Sequence, residues 1–407
     1  MSSRKTFPTI SPETAKEICQ ISEALKEDVD KAVDAAHKAF DRKSEWSKTD
    51  ASKRGLLLNK IADLMERDFD QIASLESLDN GKPLKLAKDD VHCAISLFRY
   101  YAGWADKVQG KTIPIDGSSF AYTKIEPVGV IGIIIPWNFP LMLLALKVAP
   151  GYGKTTGEPL VLNPKVDKVS FTGSSLIGRH IQTISAQNNI KRVTLELGGK
   201  SPYVVMDDAD LDKAVNLCHS SVFYNQGQVC CAGSRTYVHE KIYDEFVKRS
   251  VELAKKRKLG SPFNEDTEQG PQIDKKQFEK ILSLIEIGVK EGAKLEVGGK
   301  VWSEAEEIFG PCQQILKFKT LDEVIDRANN TEYGLAAGIV TKSMENALTF
   351  VNNVRAGSVW VNTYLEGIPQ VPFGGYKQSG HGREGGEDGL NPFCEVKTVV
   401  ISFKGTN

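Results

Sequence analysis

Two adjacent cysteines, Cys230 and Cys231, lie in NQGQVCCAGSR at Asn225–Arg235. Neighbouring cysteines do not readily bond to each other. A thiol in such a Gly/Gln-rich loop following a helix is a candidate nucleophile. The plainer alternative is a buried structural cysteine, a role that suits Cys231. A carboxylate lies in LELGGKSP at Leu195–Pro202, where Leu195 and Leu197 flank Glu196 at the end of an apolar strand. Burial there raises a carboxyl pKa toward the range of a general base; an ordinary strand-end glutamate is the alternative. Asn138, inside PWNFP, carries an amide that can meet a developing oxyanion, or it serves as a turn residue between two prolines. FTGSSLIG at Phe171–Gly178 joins a strand to a helix. Its glycines allow a backbone to approach a pyrophosphate, and the helix N-terminus favours an anion. The GKT at 153–155 and GKS at 199–201 end like a phosphate-binding loop. The required first glycine would fall at Val148 and Thr194, so neither qualifies.

These groups need elements to hold them. Val128–Leu146 has no charge, yet Pro136, Asn138 and Pro140 interrupt it, which argues against a membrane span. VGVIGIII is β-branched and continuous like a doubly buried strand, and LMLLALKVA reads as a helix. KVSFTGS and RVTLELGG supply further strands, and IGRHIQTISAQ a helix, which together make a doubly wound α/β unit. Before it, the first hundred residues read as helical, with Asp28–Phe40 amphipathic, a helix capped by Thr49 or Asp50, and another over Ala87–Val108. GKTIPIDGSSFAYTKIEP suggests a hairpin around Asp116-Gly117. Downstream, PYVVM, RTYVHE, KLEVGG, QILKF, LAAGIVT and SVWVN alternate with helices over Leu211–Val222, Lys241–Leu259 and Lys275–Glu291. The tail CEVKTVVISF reads as a strand that pairs with another subunit's sheet.

Composition limits the classes. The 407 residues are 41% hydrophobic and carry 52 basic against 53 acidic side chains, a net charge of −1. That supports a folded core and argues against binding nucleic acid or membrane surfaces through bulk charge. Seven cysteines without metal-ligand spacing argue against zinc or a disulfide framework and for reduced thiols. The N-terminus has no apolar signal region, so a cytoplasmic location is expected.

Taken in order, PWNFP, FTGSSLIG, LELGGK, GQVC (Gly227–Cys230), EEIFGP (Glu306–Pro311) and PFGGYKQSG (Pro372–Gly380) resemble the aldehyde dehydrogenase superfamily over nearly the whole chain. The similarity is greatest to the tetrameric enzymes acting on general aldehydes or retinal. The resemblance implies a Rossmann-type cofactor domain, an α/β catalytic domain and a β oligomerisation hairpin. On this chain they would span 1–108 with 128–198, then 199–378, then 109–127 with 379–407. It implies NAD(P)-dependent oxidation of an aldehyde to an acid in a homodimer or homotetramer without a metal. Cys230 would be the nucleophile, Asn138 the oxyanion donor and Glu196 the base for deacylation. NAD, or NADP, would contact Ile135, Pro136, Trp137, Lys147, Gly153, Gly157, Phe171, Gly173, Ser174, Ile177, Leu197, Gly198, Gln277, Glu307 and Phe309. Phe139, Leu146, Tyr224 and Phe373 would line the substrate pocket.

The chain departs from that pattern at two places. After Pro150 it runs directly into GYGKTTGE, so a strand, a helix and most of another strand are absent, about 40 residues for such a unit. A shorter gap falls between Gly299 and Glu306. The first gap leaves the Val128–Ile135 strand at a sheet edge and removes the family's grip on the adenine ribose. It thereby admits a second reading, that of a catalytically impaired isoform or a crystallin-like structural paralogue.

Overall fold

The computed structural model describes residues 5–145, 153–299 and 310–403. Two parallel sheets form its centre. In the first, Ile131–Ile134, Lys168–Thr172 and Arg192–Glu196 run parallel, and the short strand Gly380–His381 adds antiparallel to the last. Ser174 caps the helix Ser175–Ser185 by accepting from the Ile177 N–H at 3.4 Å, so the Gly173-Ser174 turn switches the chain from strand to helix. Val169, Phe171, Ile181, Ile184 and Leu195 pack with Val29 and Val33 of the helix Lys26–Phe40. Among the described residues, Ile131–Ile134 is paired on one side only, as the absent segment leads one to expect. No described helix is long and apolar enough to cross a membrane; the uncharged run forms a strand, a loop and the short helix Pro140–Leu144.

The second sheet has five parallel strands in the order Gln314–Phe318, Arg235–His239, Pro202–Val205, Ala336–Val340, Ser358–Val361. The helices Leu211–Phe223 and Tyr243–Lys256 bury Val215, Cys218 and Phe246 against one face. Val204, Tyr237, Phe318, Val324 and Phe350 fill the other.

The tail finds a partner within its own chain, and three expectations are corrected. The tail strand Cys394–Ser402 pairs over nine positions with Ser119–Pro127 of its own chain, which in turn pairs with Thr112–Ile113. The projecting hairpin supplies a register partner of equal length along one edge of the tail, which is the outer strand of this sheet among the described residues. Lys294–Gly299 is not a strand: Gly292, Gly298 and Gly299 take positive φ, which breaks extended pairing. The N-terminal segment is not purely helical, because Thr6–Ile10 and Glu17–Ser22 pair as a hairpin before the first helix. The Ala87–Val108 helix instead runs Leu84–Trp104.

One polar cluster lies within the helical layer. Lys82, fully buried, meets Glu76 at 3.0 Å and also contacts Asp90. In this cluster burial raises the Asp90 carboxyl to about 8, against the pull of the Lys82 charge. Its lysine also sits 4.6 Å from the Phe139 ring centroid, which ties the cluster to the site wall. Lys82→Met should leave a buried carboxylate uncompensated and destabilise the fold by about 3–5 kcal/mol. Urea unfolding monitored by circular dichroism checks this, and a loss below about 1 kcal/mol would contradict it.

Candidate active site

Three loops converge where the first sheet ends and the second begins. Asn138 follows the strand Ile131–Ile134, Gly173-Ser174 follow Lys168–Thr172, and Glu196 closes Arg192–Glu196. All three therefore leave the carboxyl end of the first sheet. Cys230 precedes the strand Arg235–His239 and so stands at the amino end of the second. Asn138, Glu196 and Cys230 line one cavity of about 2730 Å³.

The loop that carries Cys230 is held from both sides. Gly199 packs so closely that an added Cβ would lie 3.0 Å from the Cys230 carbonyl oxygen. Tyr364 donates its hydroxyl to the Cys231 carbonyl at 2.8 Å. Cys231 is buried, whereas Cys230 is half-buried and reaches the cavity. A hydrogen bond from the Cys231 thiol stabilises the Cys230 thiolate and holds its pKa below the ordinary thiol value, against burial and the negative charge of Glu384. The same bond, with burial, pushes Cys231 far up. The two cysteines thus differ in exposure and in the direction of their pKa shifts.

Glu196 is buried, with its Oε1 against Gly374, where an added Cβ would come within 2.7 Å. Gly374 belongs to the PFGGYKQSG loop. Ser379 of that loop accepts from the Leu197 N–H at 3.0 Å and donates its hydroxyl to the Gly198 carbonyl at 2.8 Å. This loop therefore fixes the strand end that carries the carboxylate. Asn138 donates through Nδ2 to the Gln228 carbonyl at 2.9 Å, two residues before Cys230.

The cofactor candidates divide. Pro136, Trp137, Gly173, Ser174, Leu197, Gly198 and Gln277 line the cavity. Ile135, Gly153, Gly157 and Ile177 do not, and Phe171 is buried in the first sheet's core. Lys147, Glu307 and Phe309 lie outside the described residues, as does Leu146 of the pocket candidates. Exposed Trp137 and Leu176 line the same cavity as Ser174, the cap of the helix Ser175–Ser185, and an added Cβ on Gly198 would meet open space. Apolar walls beside a helix N-terminus suit a dinucleotide's flat rings and its pyrophosphate. On the substrate side Phe139 and Tyr224 stack with centroids 6.2 Å apart at 15°, and Phe373 lines the same cavity.

Sequence reading missed Asn80, Asn225, Gln226 and Gln228, all buried around this loop. The only signal was the run NQGQ itself. Asn225 and Gln226 have φ of 45° and 57°, a conformation that costs non-glycine residues about 1–3 kcal/mol each and persists only where surroundings impose it.

The sequence profile of the aldehyde dehydrogenase family matches residues 1–151, 145–306 and 300–399, three pieces that break at the two places where segments are short. Human mitochondrial aldehyde dehydrogenase is 50% identical, the alignment covering all of this chain and 90% of that protein. Human retinal dehydrogenase 2 is 48% identical over the same shares. These alignments extend over 467 residues against the 407 of this chain. Among solved structures, the NAD+ complex of aldehyde dehydrogenase from Bacillus cereus superposes with a TM-score of 0.95 at 40% identity, covering 98% of this chain and 94% of that one. Betaine aldehyde dehydrogenase from Staphylococcus aureus, also with NAD+, gives 0.96 at 32% identity, covering 100% and 93%. The fold and the converging loops are those of an NAD-linked dehydrogenase of the Rossmann-containing α/β class. The chain belongs to the aldehyde dehydrogenase family.

The thiol environments generate a direct test. At pH 7 iodoacetamide should alkylate Cys230 well ahead of Cys93, Cys231, Cys312 and Cys394, whose pKa values are all raised by burial or by the partner thiol. Because the Cys230 pKa is lowered, its rate should persist as pH falls below the ordinary thiol range. Peptide mass mapping over time reads this; preferential labelling of Cys231 would reverse the assignment.

Proposed function

We propose that this chain oxidises an aldehyde to its carboxylic acid with NAD as the hydride acceptor, through a covalent intermediate on Cys230. The observation that carries this reading is a half-buried thiol of lowered pKa sharing one cavity with a buried carboxylate and a carboxamide. The Cys230 thiolate attacks the aldehyde carbon, forming a C–S bond, and the carbonyl oxygen becomes an alkoxide. The Asn138 amide and the Cys230 backbone N–H donate to that oxygen. NAD+, when bound, accepts the hydride released as this thiohemiacetal becomes a thioester. Glu196 then takes a proton from water, which attacks the thioester carbon; the C–S bond breaks, the acid forms and the thiolate is restored.

Pro136, Trp137, Gly173, Ser174, Leu197 and Gly198 would hold the nicotinamide and pyrophosphate portions. Phe139, Tyr224 and Phe373 would guide an apolar or aromatic aldehyde. We take residues 1–108 with 128–198 as the cofactor-side unit, 199–378 as the catalytic unit, and 109–127 with 379–407 as the assembly elements. The outward face of the three-stranded sheet, with Val396 and Val400 exposed, supports association into a homodimer or homotetramer. The thiols match a reducing compartment such as the cytoplasm.

Two measurements check the chemistry. Cys230→Ala should abolish both aldehyde oxidation and p-nitrophenyl ester hydrolysis, whereas Cys231→Ala should retain much of each. Glu196→Gln should slow deacylation more than acylation, seen as an acyl-enzyme burst followed by a slowed steady state. Ester hydrolysis at the parental rate in Cys230→Ala would sink the mechanism.

The shortened cofactor sheet makes a separate prediction. Calorimetric titration should give weaker NAD binding than in full-length relatives. Reinserting a family-like strand–helix–strand between Pro150 and Gly151 should tighten it by at least about tenfold, about 1.4 kcal/mol. Micromolar affinity in the chain as it stands would mean that other residues have taken over the adenosine contacts.

A further inference from the structure

Asn225 takes no part in the proposed bond making, yet it is fully buried between the two loops that must work together. Its Nδ2 donates to the Asn138 carbonyl at 3.0 Å and to the Gln228 carbonyl at 3.5 Å. The Gln228 carbonyl also accepts from the Asn138 Nδ2 at 2.9 Å. Asn138 is thus bound to the nucleophile loop twice, once through its own side chain and once through the side chain of Asn225. From the other side Asn80 donates to the Trp137 carbonyl at 2.5 Å and to the Asn138 carbonyl at 3.4 Å. Gln226, next to Asn225, anchors the turn by donating to the Pro271 carbonyl at 3.1 Å and to the Gly81 carbonyl at 3.4 Å. The left-handed backbone at Asn225 and Gln226 is therefore held by contacts to three separate segments.

A carboxamide has two N–H bonds, and one of those of Asn138 is engaged by Gln228. That engagement orients the amide plane and leaves the second N–H for an oxyanion on a carbon bonded to Cys230 Sγ. An oxyanion donor is effective only when it is fixed where charge develops. We propose that Asn225 is a positioning residue for the oxyanion site: its carboxamide clamps the Asn138 peptide to the Gln228 peptide and sets the distance between donor and nucleophile. This inference rests on the reading of Asn138 as oxyanion donor, and its test separates the two.

The assay is p-nitrophenyl acetate hydrolysis by the full chain, which needs no cofactor. Asn225→Gly keeps the positive φ and removes the clamp. Asn225→Asp keeps the shape but faces two carbonyl oxygens with an acceptor. Asn138→Ala should lower kcat by about 100-fold, as loss of one oxyanion donor does. Either Asn225 variant should lower kcat by at least about tenfold with KM within about twofold of the parent, since positioning acts on the transition state. The double variant Asn138→Ala/Asn225→Gly should be no slower than Asn138→Ala within about twofold, because the clamp acts only through Asn138. A purely structural role for Asn225 would instead make the two effects multiply. Multiplying effects, or an Asn225→Gly rate within twofold of the parent, would overturn the clamp while leaving the oxyanion assignment intact. If Asn138→Ala retained the parental rate, both would fall together. Should Asn225→Gly fail to fold, judged by its melting temperature, Asn225→Asp decides by the same criteria.

Discussion

The five residues Leu197–Ser201 join the last long strand of one parallel sheet to the central strand of the other, and the placement of the site follows from how short that link is. With no room for a helix between them, the carboxyl end of the first sheet must face the amino end of the second. Loops leaving the first sheet then meet loops approaching the second. Gly199 permits the close approach: a Cβ there would press on the Cys230 carbonyl oxygen at 3.0 Å. Ser379 holds the link from outside through Leu197 and Gly198. A carboxylate, a carboxamide and a thiol distant in sequence are thereby brought to one cavity.

Much of this was legible in the chain because the reactive residues are embedded in short motifs with strong local structure. FTGSSLIG reads as a strand joined to a helix, and the structure adds Ser174 as the cap of that helix. The β-branched run before PWNFP reads as a strand for the same reason. The buried amides around the nucleophile were not legible. Asn225, Gln226 and Gln228 look like polar loop residues, and only the approach of Asn138, Gly81 and Pro271 from distant segments turns them into a hydrogen-bonded framework. The Lys82 cluster was invisible too, since a lysine and two acids on helical segments ordinarily read as a solvated face. The tail's pairing over nine positions with Ser119–Pro127 was not legible either, because it is a long-range contact that periodicity does not reveal.

The two cysteines show how one hydrogen bond can divide near-identical chemistry. Sequence places them side by side with the same neighbours, and a single S–H donor lowers one pKa while raising the other. Burial and the nearby Glu384 charge both oppose the thiolate at Cys230, and the bond from the Cys231 thiol, with smaller help from the backbone N–H groups of both cysteines, turns the direction downward. On the proposed mechanism the neighbour takes no part as a nucleophile and still shapes the electrostatics of Cys230.

The strand Ile131–Ile134, paired on one side only among the described residues, carries the loop that bears Asn138. An edge strand opens locally at a lower free energy than a central one, because only one row of hydrogen bonds has to break. Fraying there would carry the carboxamide away from the thiol while both hydrophobic cores stayed intact. The protein would then lose its catalytic geometry on warming before it lost its fold, and the temperatures of inactivation and of melting would separate into two distinct events.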